Sequence, residues 1–362
     1  MNELSFKSRT YVVLTLSLIS LYMLYLLINT KTYFYEIDEN SIFLPTDSKR
    51  LSIPSNVELC TTDEFNKGKW THQVIGLESY TIEGINAYAG YYCNWDFPHR
   101  CYRRQDPSTE FNRSKSILDY SWQPDACAMI PFQARDFAKH LSRNPLLFVG
   151  DSITQLMFES LWCLTGQDLT AQNKDTRLSG GDTKMWVSQL VHRDRVNEEE
   201  NAVTVGYIRS DYLVKLDDFS LIEPNESEGY QIGVGSNFPW IHAIPRFKYI
   251  MINTGPHWHP DLKWGPNKDR GELLKAFKMA IKKVFDYLKK NVKSDQRVWV
   301  RSTPYGHAKC SQYRTPSRVP VKPTGQQGEY EWDMFEEFDF VWKEMYILSQ
   351  IMIVCILVYQ AQ

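Results

Sequence analysis

The chain has 362 residues, enough for one large domain or two smaller ones, with ordinary hydrophobic content (43%) and rich aromatic content (14%). A formal net charge of −2 gives no sign of nucleic-acid binding or of a basic patch for docking on a membrane surface. The charged runs, Asn197 to Glu200 and Lys289 to Lys293, are too short for tails and read as solvated faces.

Residues 1–10 form a short leader with Lys7 and Arg9. From Tyr11 to Ile28 no residue is charged and Leu, Ile, Val, Tyr and Met dominate. About 18 to 20 such residues span a bilayer core. Glu36, Asp38 and Glu39 follow the run, so the positive-inside bias puts the body on the lumenal side of a single-pass anchor over 11–28. A cleaved signal peptide is the rival, but the run is long for that and no small-x-small cleavage site follows it. Residues 29–58 are polar, with Pro45 and Pro54, and read as a stem.

The stretch 59–144 is rich in Cys, Trp and Tyr and reads as an irregular, disulfide-stapled subdomain. Six cysteines lie in the expected lumenal body: Cys60, Cys93, Cys101, Cys127, Cys163 and Cys310. An even number in an oxidising compartment points to disulfides, with connectivity not readable from spacing. There is no CxxC pair and hence no expected zinc site. Asn112 and Asn225 each head an N-x-Ser sequon, which fits lumenal exposure.

The pattern then changes. Leu146 to Val149 is a short continuous apolar run, as in a buried parallel strand, and it stops at Gly150-Asp151-Ser152. A helix is expected from Thr154 to about Leu164, ended by Gly166. Val203 to Ile208 and Tyr249 to Ile252 are further strands, the latter ending at Asn253-Thr254-Gly255. Glu272 to Lys290 is an amphipathic helix with Leu273, Leu274, Phe277, Ile281, Val284 and Leu288 on one face, and Val298 to Val300 is a third buried strand. Strands alternating with helices predict an α/β fold, a parallel sheet with helices on both faces, over 145–345. Ligands gather at the carboxyl ends of such strands.

A serine directly after a buried strand, opening a helix, suits nucleophilic chemistry. Gly150 allows a tight turn, and the free N–H groups of the helix start can hold a developing oxyanion. Asp151 is either part of that chemistry or a turn and capping residue. Arg209 follows a strand and can line the same rim. His257 and His259 alternate on one extended face with Asp261 beyond, a spacing too unspecific for a metal site.

The run Phe148 to Ile153 resembles the first block of the SGNH (GDSL-type) hydrolases. Cys60-x4-Phe65-x2-Gly68-x-Trp70, Tyr120-x-Trp122-x-Pro124-x2-Cys127, Asn253-Thr254-Gly255-Pro256-His257-Trp258 and Arg301-Ser302-Thr303-Pro304-x-Gly306-His307-x2-Cys310 resemble, in order, the blocks of the trichome-birefringence-like (PC-esterase) family. The resemblance runs from about Cys60 to about Glu344. It implies an SGNH-like fold and a polysaccharide O-acetyltransferase of the Golgi membrane, type II, with its catalytic body in the lumen. It implies no bound cofactor or metal, an acetyl donor such as acetyl-CoA, and a polysaccharide acceptor; oligomeric state is left open. By the same carry-over, Ser152 is the nucleophile, with Asp151 in the catalytic block. Gly150, Asn253, Gly255, Arg209 and His257 then serve oxyanion or substrate contacts.

The family closes on an Asp-Cys-x-His-x-Cys-x-Pro-Gly motif that supplies the general base and its orienting carboxylate. No Asp-x-x-His follows the Arg301 to Cys310 block, and 346–362 is instead an apolar tail. A second membrane segment, a buried last helix or strand, and an out-of-frame translation are the three readings. Read from the third base of the Met352 codon, the degenerate codons permit Asp-Cys-Leu-His-x-Cys-Leu-Pro-Gly-Pro, with Ser, Thr or Pro at x, which fits the missing motif and favours the frame shift. The expectation is an inactive chain whose in-frame counterpart transfers acetyl groups. The alternatives are an acetyl esterase of the same fold and a non-catalytic glycan-binding membrane protein.

Overall fold

The structure, a computed structural model, describes residues 59–60, 62–65, 67–72, 92, 119–129, 132–171, 187–197, 203–214, 240–259, 270–304, 315–316, 326–327, 330–349 and 353–356. All belong to one compact unit, Ile53–Gln362; the other, Met1–Ser52, lies outside them. The expected anchor (11–28), the sequons at Asn112 and Asn225, and Cys93, Cys101 and Cys310 also fall outside. Among the described residues no helix is long and apolar enough to cross a membrane.

A short helix, α1 (Thr62–Phe65), precedes an antiparallel ribbon of β1 (Gly68–His72) and β2 (Tyr120–Pro124). Trp70 and Trp122 are partners across the ribbon and meet edge to face at 5.7 Å. A disulfide joins Cys60 to Cys127 across a separation of 67 residues, and the Cys60 N–H donates to the carbonyl of the next residue, Ala128, so a covalent bond and a backbone bond close nearly the same stretch of chain. Cys163 is also disulfide-bonded.

Helix α2 (Ala134–Arg143) buries Ala138 and Leu141 against the sheet, so this helix packs with the α/β core. The core continues with β3 (Leu146–Gly150), α3 (Ser152–Thr165), β4 (Leu169–Ala171), β5 (Val187–His192), β6 (Val203–Arg209), α4 (Trp240–Ala243), β7 (Tyr249–Ile252), α5 (Arg270–Asn291) and β8 (Arg297–Arg301). After a small hairpin of β9 (Gln326–Gln327) and β10 (Tyr330–Glu331) come α6 (Phe335–Ser349) and β11 (Ile353–Ile356).

The main sheet runs β11-β8-β7-β3-β6-β5-β4. Neighbours from β11 to β6 are parallel, whereas β5 and β4 are antiparallel additions on the β6 side. The expectation of a parallel sheet thus holds for five strands and needs correcting for two. Val187–His192 mixes apolar and polar residues, as a strand near a sheet edge does, and a parallel-sheet reading of continuous apolar runs passes over it.

All five residues of β3 are buried because the strand has a core on each side. Leu147 and Val149 join the cluster made with α4, α5 and α6, while Leu146 and Phe148 join the one made with α2 and α3. Helix α5 buries Leu273, Ala276, Phe277, Ala280, Ile281, Val284, Phe285 and Leu288, one apolar stripe at helical spacing. Burying a stripe of this kind contributes on the order of 10 kcal/mol before the entropy of ordering is subtracted. Within the tail, Ile353–Ile356 forms a strand that pairs in parallel with Val298–Arg301, and α6 runs to Ser349.

Candidate active site

Strand order fixes where a ligand can bind. The chain leaves β3 toward β6 and leaves β7 toward β8, in opposite directions along the sheet. Between β3 and β7 a crevice therefore opens at the carboxyl ends. Gly150-Asp151-Ser152 ends β3 on one side, and Asn253-Thr254-Gly255 ends β7 on the other. Val149 is in register with Ile252, and the Asn253 N–H donates to the Val149 carbonyl at 3.1 Å.

The two ends approach closely. A methyl at Gly150 would lie 2.4 Å from Thr154 Oγ1 and 2.7 Å from the Asn253 carbonyl oxygen. One at Gly255 would lie 2.5 Å from Thr303 Oγ1. Glycine is needed at both positions for space alone.

Asp151 is fully buried and caps α3: its Oδ1 accepts from the Ile153 N–H at 2.9 Å and the Thr154 N–H at 3.3 Å. That cap takes up the second and third helix amides and not the amide of Ser152. Burial raises the Asp151 carboxyl above the usual carboxylate range, while Arg301 and His257 pull it back down. The Tyr207 hydroxyl donates to the Asp151 carbonyl at 3.1 Å, and burial pushes that phenol up, so it stays a donor. Ser152, the first residue of α3, is half-buried at the rim.

Asn253 is fully buried, and both its amide hydrogens are committed, to the Arg301 carbonyl at 2.7 Å and Thr303 Oγ1 at 3.2 Å. Its Oδ1 accepts from Arg301 Nη2 at 3.1 Å. Thr254 Oγ1 donates to the Asp211 carbonyl at 2.6 Å and accepts from Trp258 Nε1 at 2.9 Å, which ties the β7 end to the segment after β6.

The outer rim is charged. Arg209 lies against Asp211, with Nε to Oδ1 at 3.0 Å, and His257 Nε2 is 3.8 Å from the same oxygen. Arg209, Asp211 and His257 are partly exposed, whereas Asp151, Asn253, Thr254 and Gly255 are buried beneath them. His259 is also buried, at 5% exposure. Among the described residues no group of three or more His, Cys, Asp or Glu side chains could hold a metal ion.

Two contributors escape a reading of sequence alone. Arg301 is 6% exposed, and its guanidinium reaches under the site to Thr154 and Asn253. Asp339, on α6, accepts from the Thr303 N–H at 3.0 Å; burial pushes its carboxyl up to about 7, against the Thr303 bond and Arg301, which lower it. Arg301 was visible as a motif residue but not as a buried one. Asp339 sits in the acidic run Glu336-Glu337-Phe338-Asp339, which reads as a solvated face; only its place beside Phe338 and Val341 on the buried stripe hints otherwise.

Residues 129–347 match PC-Esterase, described as the GDSL/SGNH-like Acyl-Esterase family found in Pmr5 and Cas1p. Among curated proteins of Arabidopsis thaliana, the chain is 27% identical to Protein trichome birefringence-like 9 over 168 residues, 45% of this chain and 37% of the relative. It is 24% identical to Protein trichome birefringence-like 13 over 219 residues, 58% of this chain and 46% of the relative. With Protein trichome birefringence-like 4 the figures are 22% over 250 residues, 65% and 52%. The chain spans about half the length, or less, of these curated relatives.

Proposed function

The chain belongs to the PC-Esterase family, and from that premise we propose that Ser152 is the nucleophile of an O-acetyltransferase acting on cell-wall or extracellular polysaccharide. The observation that carries the reading is the position of Ser152. It opens a helix at the carboxyl end of the central strand, beside the β7 end, with its main-chain N–H outside the Asp151 cap.

In the proposed reaction Ser152 Oγ attacks the carbonyl carbon of an acetyl donor such as acetyl-CoA. The negative oxygen of the tetrahedral intermediate is met by main-chain N–H groups at the start of α3. Collapse expels the donor's leaving group and leaves acetyl-Ser152. A sugar hydroxyl then attacks the ester, takes the acetyl group and returns the serine. Each half needs a group to accept and return a proton. In the family this is the His of the C-terminal Asp-x-x-His, which residues 346–362 do not contain. We therefore propose that the chain as written is inactive and that the in-frame form is the working enzyme. With Asn253 committed to Arg301 and Thr303, its part is to fix the backbone of 253–255 in place of direct oxyanion contact. Arg209 and His257 are the side chains at the rim available to the acceptor sugar. A lumenal, Golgi-membrane setting with a retained anchor and glycans at Asn112 and Asn225 belongs to the same proposal.

An esterase is the second reading, favoured by the family's own description as acyl-esterases; water then takes the acetyl group in place of a sugar. The deciding experiment incubates both forms of the chain with isotopically labelled acetyl donor, with and without polysaccharide. Mass spectrometry should find acetyl-Ser152 and labelled polymer with the in-frame form, and neither with Ser152→Ala. Equal turnover by the chain as written would overturn its inactivity, and the absence of any Ser152 adduct in either form would overturn the nucleophile.

A further inference from the structure

We infer that Arg301 is the positioning residue of this site: one buried guanidinium locks the helix that begins with Ser152 to the strand end that carries Asn253. The inference rests on the reading of Ser152 as nucleophile and goes beyond it, since it concerns what holds the two sides of the crevice in register.

The geometry is reciprocal. Arg301 Nη2 donates to Asn253 Oδ1 at 3.1 Å, while Asn253 Nδ2 donates to the Arg301 carbonyl at 2.7 Å. Only one orientation of the Asn253 amide satisfies both bonds, so its oxygen and nitrogen are assigned by the network itself. The same Nη2 also donates to Thr154 Oγ1 at 3.3 Å, on the first turn of α3. Nη1 donates to the Ser302 carbonyl at 3.1 Å, which turns the guanidinium plane back across the strand end. Three strands thus converge on one side chain: β3 through the Thr154 turn, β7 through Asn253, and β8 through its own last residue.

Charge explains why the arrangement is rigid. A buried guanidinium draws negative charge toward it: Asp151 and Asp339 both lie within its electrostatic reach, and it works against the burial that raises their carboxyls. Asp151 caps the nucleophile's helix, and Asp339 holds the Thr303 N–H; Thr303 in turn accepts from Asn253. Each hydrogen bond to the cation orients a group that orients the next, in surroundings where an unpaired polar atom is costly. Lysine cannot substitute, because a single ammonium lacks the planar fork that reaches Ser302 with one nitrogen and Thr154 and Asn253 with the other. Displacement of a reacting group by about 1 Å can cost about a hundredfold in rate.

The test uses the in-frame form, which carries the base, and a fluorophosphonate probe, whose phosphorus is attacked by the serine oxygen with loss of fluoride. Arg301→Lys should lower the second-order rate of labelling at Ser152 by about 10- to 100-fold. It should also speed amide hydrogen exchange in residues 150–156 and 253–255 together. Thr154→Val cuts the helix arm alone. It should slow labelling by a smaller factor and speed exchange only in 150–156, while Thr154→Ser, which keeps the hydroxyl, should restore both. If Arg301→Lys does not fold, the Thr154 pair decides: labelling by Thr154→Val at the wild-type rate overturns the positioning role. Wild-type labelling and exchange in a folded Arg301→Lys would overturn it too, while leaving the nucleophile intact. If wild-type Ser152 takes no probe, the nucleophile reading fails and the positioning role falls with it, even where exchange still couples the two segments.

Discussion

Strands β8 and β11 are neighbours in one sheet, parallel and in register from Val298 opposite Ile353 to Arg301 opposite Ile356, yet they serve the molecule differently. β8 ends in Arg301, whose side chain reaches Thr154 and Asn253 and whose carbonyl accepts from Asn253. β11 reads Ile-Val-Cys-Ile and brings neither carboxylate nor imidazole to the same end of the sheet. A parallel strand asks only for β-branched, apolar residues and an available ladder, and a run drawn from the wrong reading frame can meet that demand. A reactive rim asks for particular atoms at particular distances, and residues 353–356 bring none of them. The backbone of a fold can therefore outlast its chemistry.

The largest test of this contrast restores the frame at codon 352. Acetyl transfer to polysaccharide should rise by about 10^4-fold or more relative to the chain as written, the scale on which loss of a triad base is felt. A rise of less than tenfold would mean that the edge strand had not cost the site its base.

Next in size is Gly150→Ala. Its methyl would meet the Asn253 carbonyl oxygen, a backbone atom without rotameric escape. We expect a loss of about 3 kcal/mol in urea unfolding, where an alanine in β11 should cost far less.

Asp339→Asn follows, at on the order of 2 kcal/mol. The native carboxyl holds its proton up to about pH 7, whereas the unfolded carboxyl releases it near 3.8. Between these values the native state binds more protons, so this group's contribution to stability is full below about pH 4 and is lost as pH rises through 7. The asparagine keeps an acceptor for the Thr303 N–H and cannot ionise. Its unfolding free energy should therefore fall less between pH 5 and pH 8 than that of the wild type, and parallel pH slopes would contradict the buried, proton-holding carboxyl.

The smallest effect belongs to the solvated side of α5. Lys282→Ala removes an exposed pair with Asp286, 3.1 Å apart and four residues along the helix, and should change stability by no more than about 0.5 kcal/mol.

Much of the scaffold could be read from residue pattern. β3, β7 and β8 are continuous apolar runs bounded by turn residues, and α5 repeats its apolar positions at helical spacing, so burial on two faces or one followed directly. β4 and β5 were missed because antiparallel strands outside the central parallel set need no unbroken apolar run. The Cys60–Cys127 pairing was not legible, because spacing along a chain says little about proximity across 67 residues. Within the site, Gly150, Ser152 and Asn253 were found because short motifs mark strand ends. The inward turn of Arg301 and the proton on Asp339 were not, since each depends on partners from three separate elements meeting in the core. That Asn253 spends its amide on the scaffold is likewise a property of the assembled sheet.

The strand order also has a consequence for biosynthesis. β3 is the first strand of the main sheet to be made and lies in its middle, with β6 and β7 on its flanks both made later. A nascent chain that has emerged only through α3 carries a five-residue apolar strand with both edges bare, a target for chaperones and for misassembly with other copies. The bonds from Arg301 to Thr154 and Asn253 can form only once the ribosome has passed β8, so the two sides of the crevice are tied together late in synthesis.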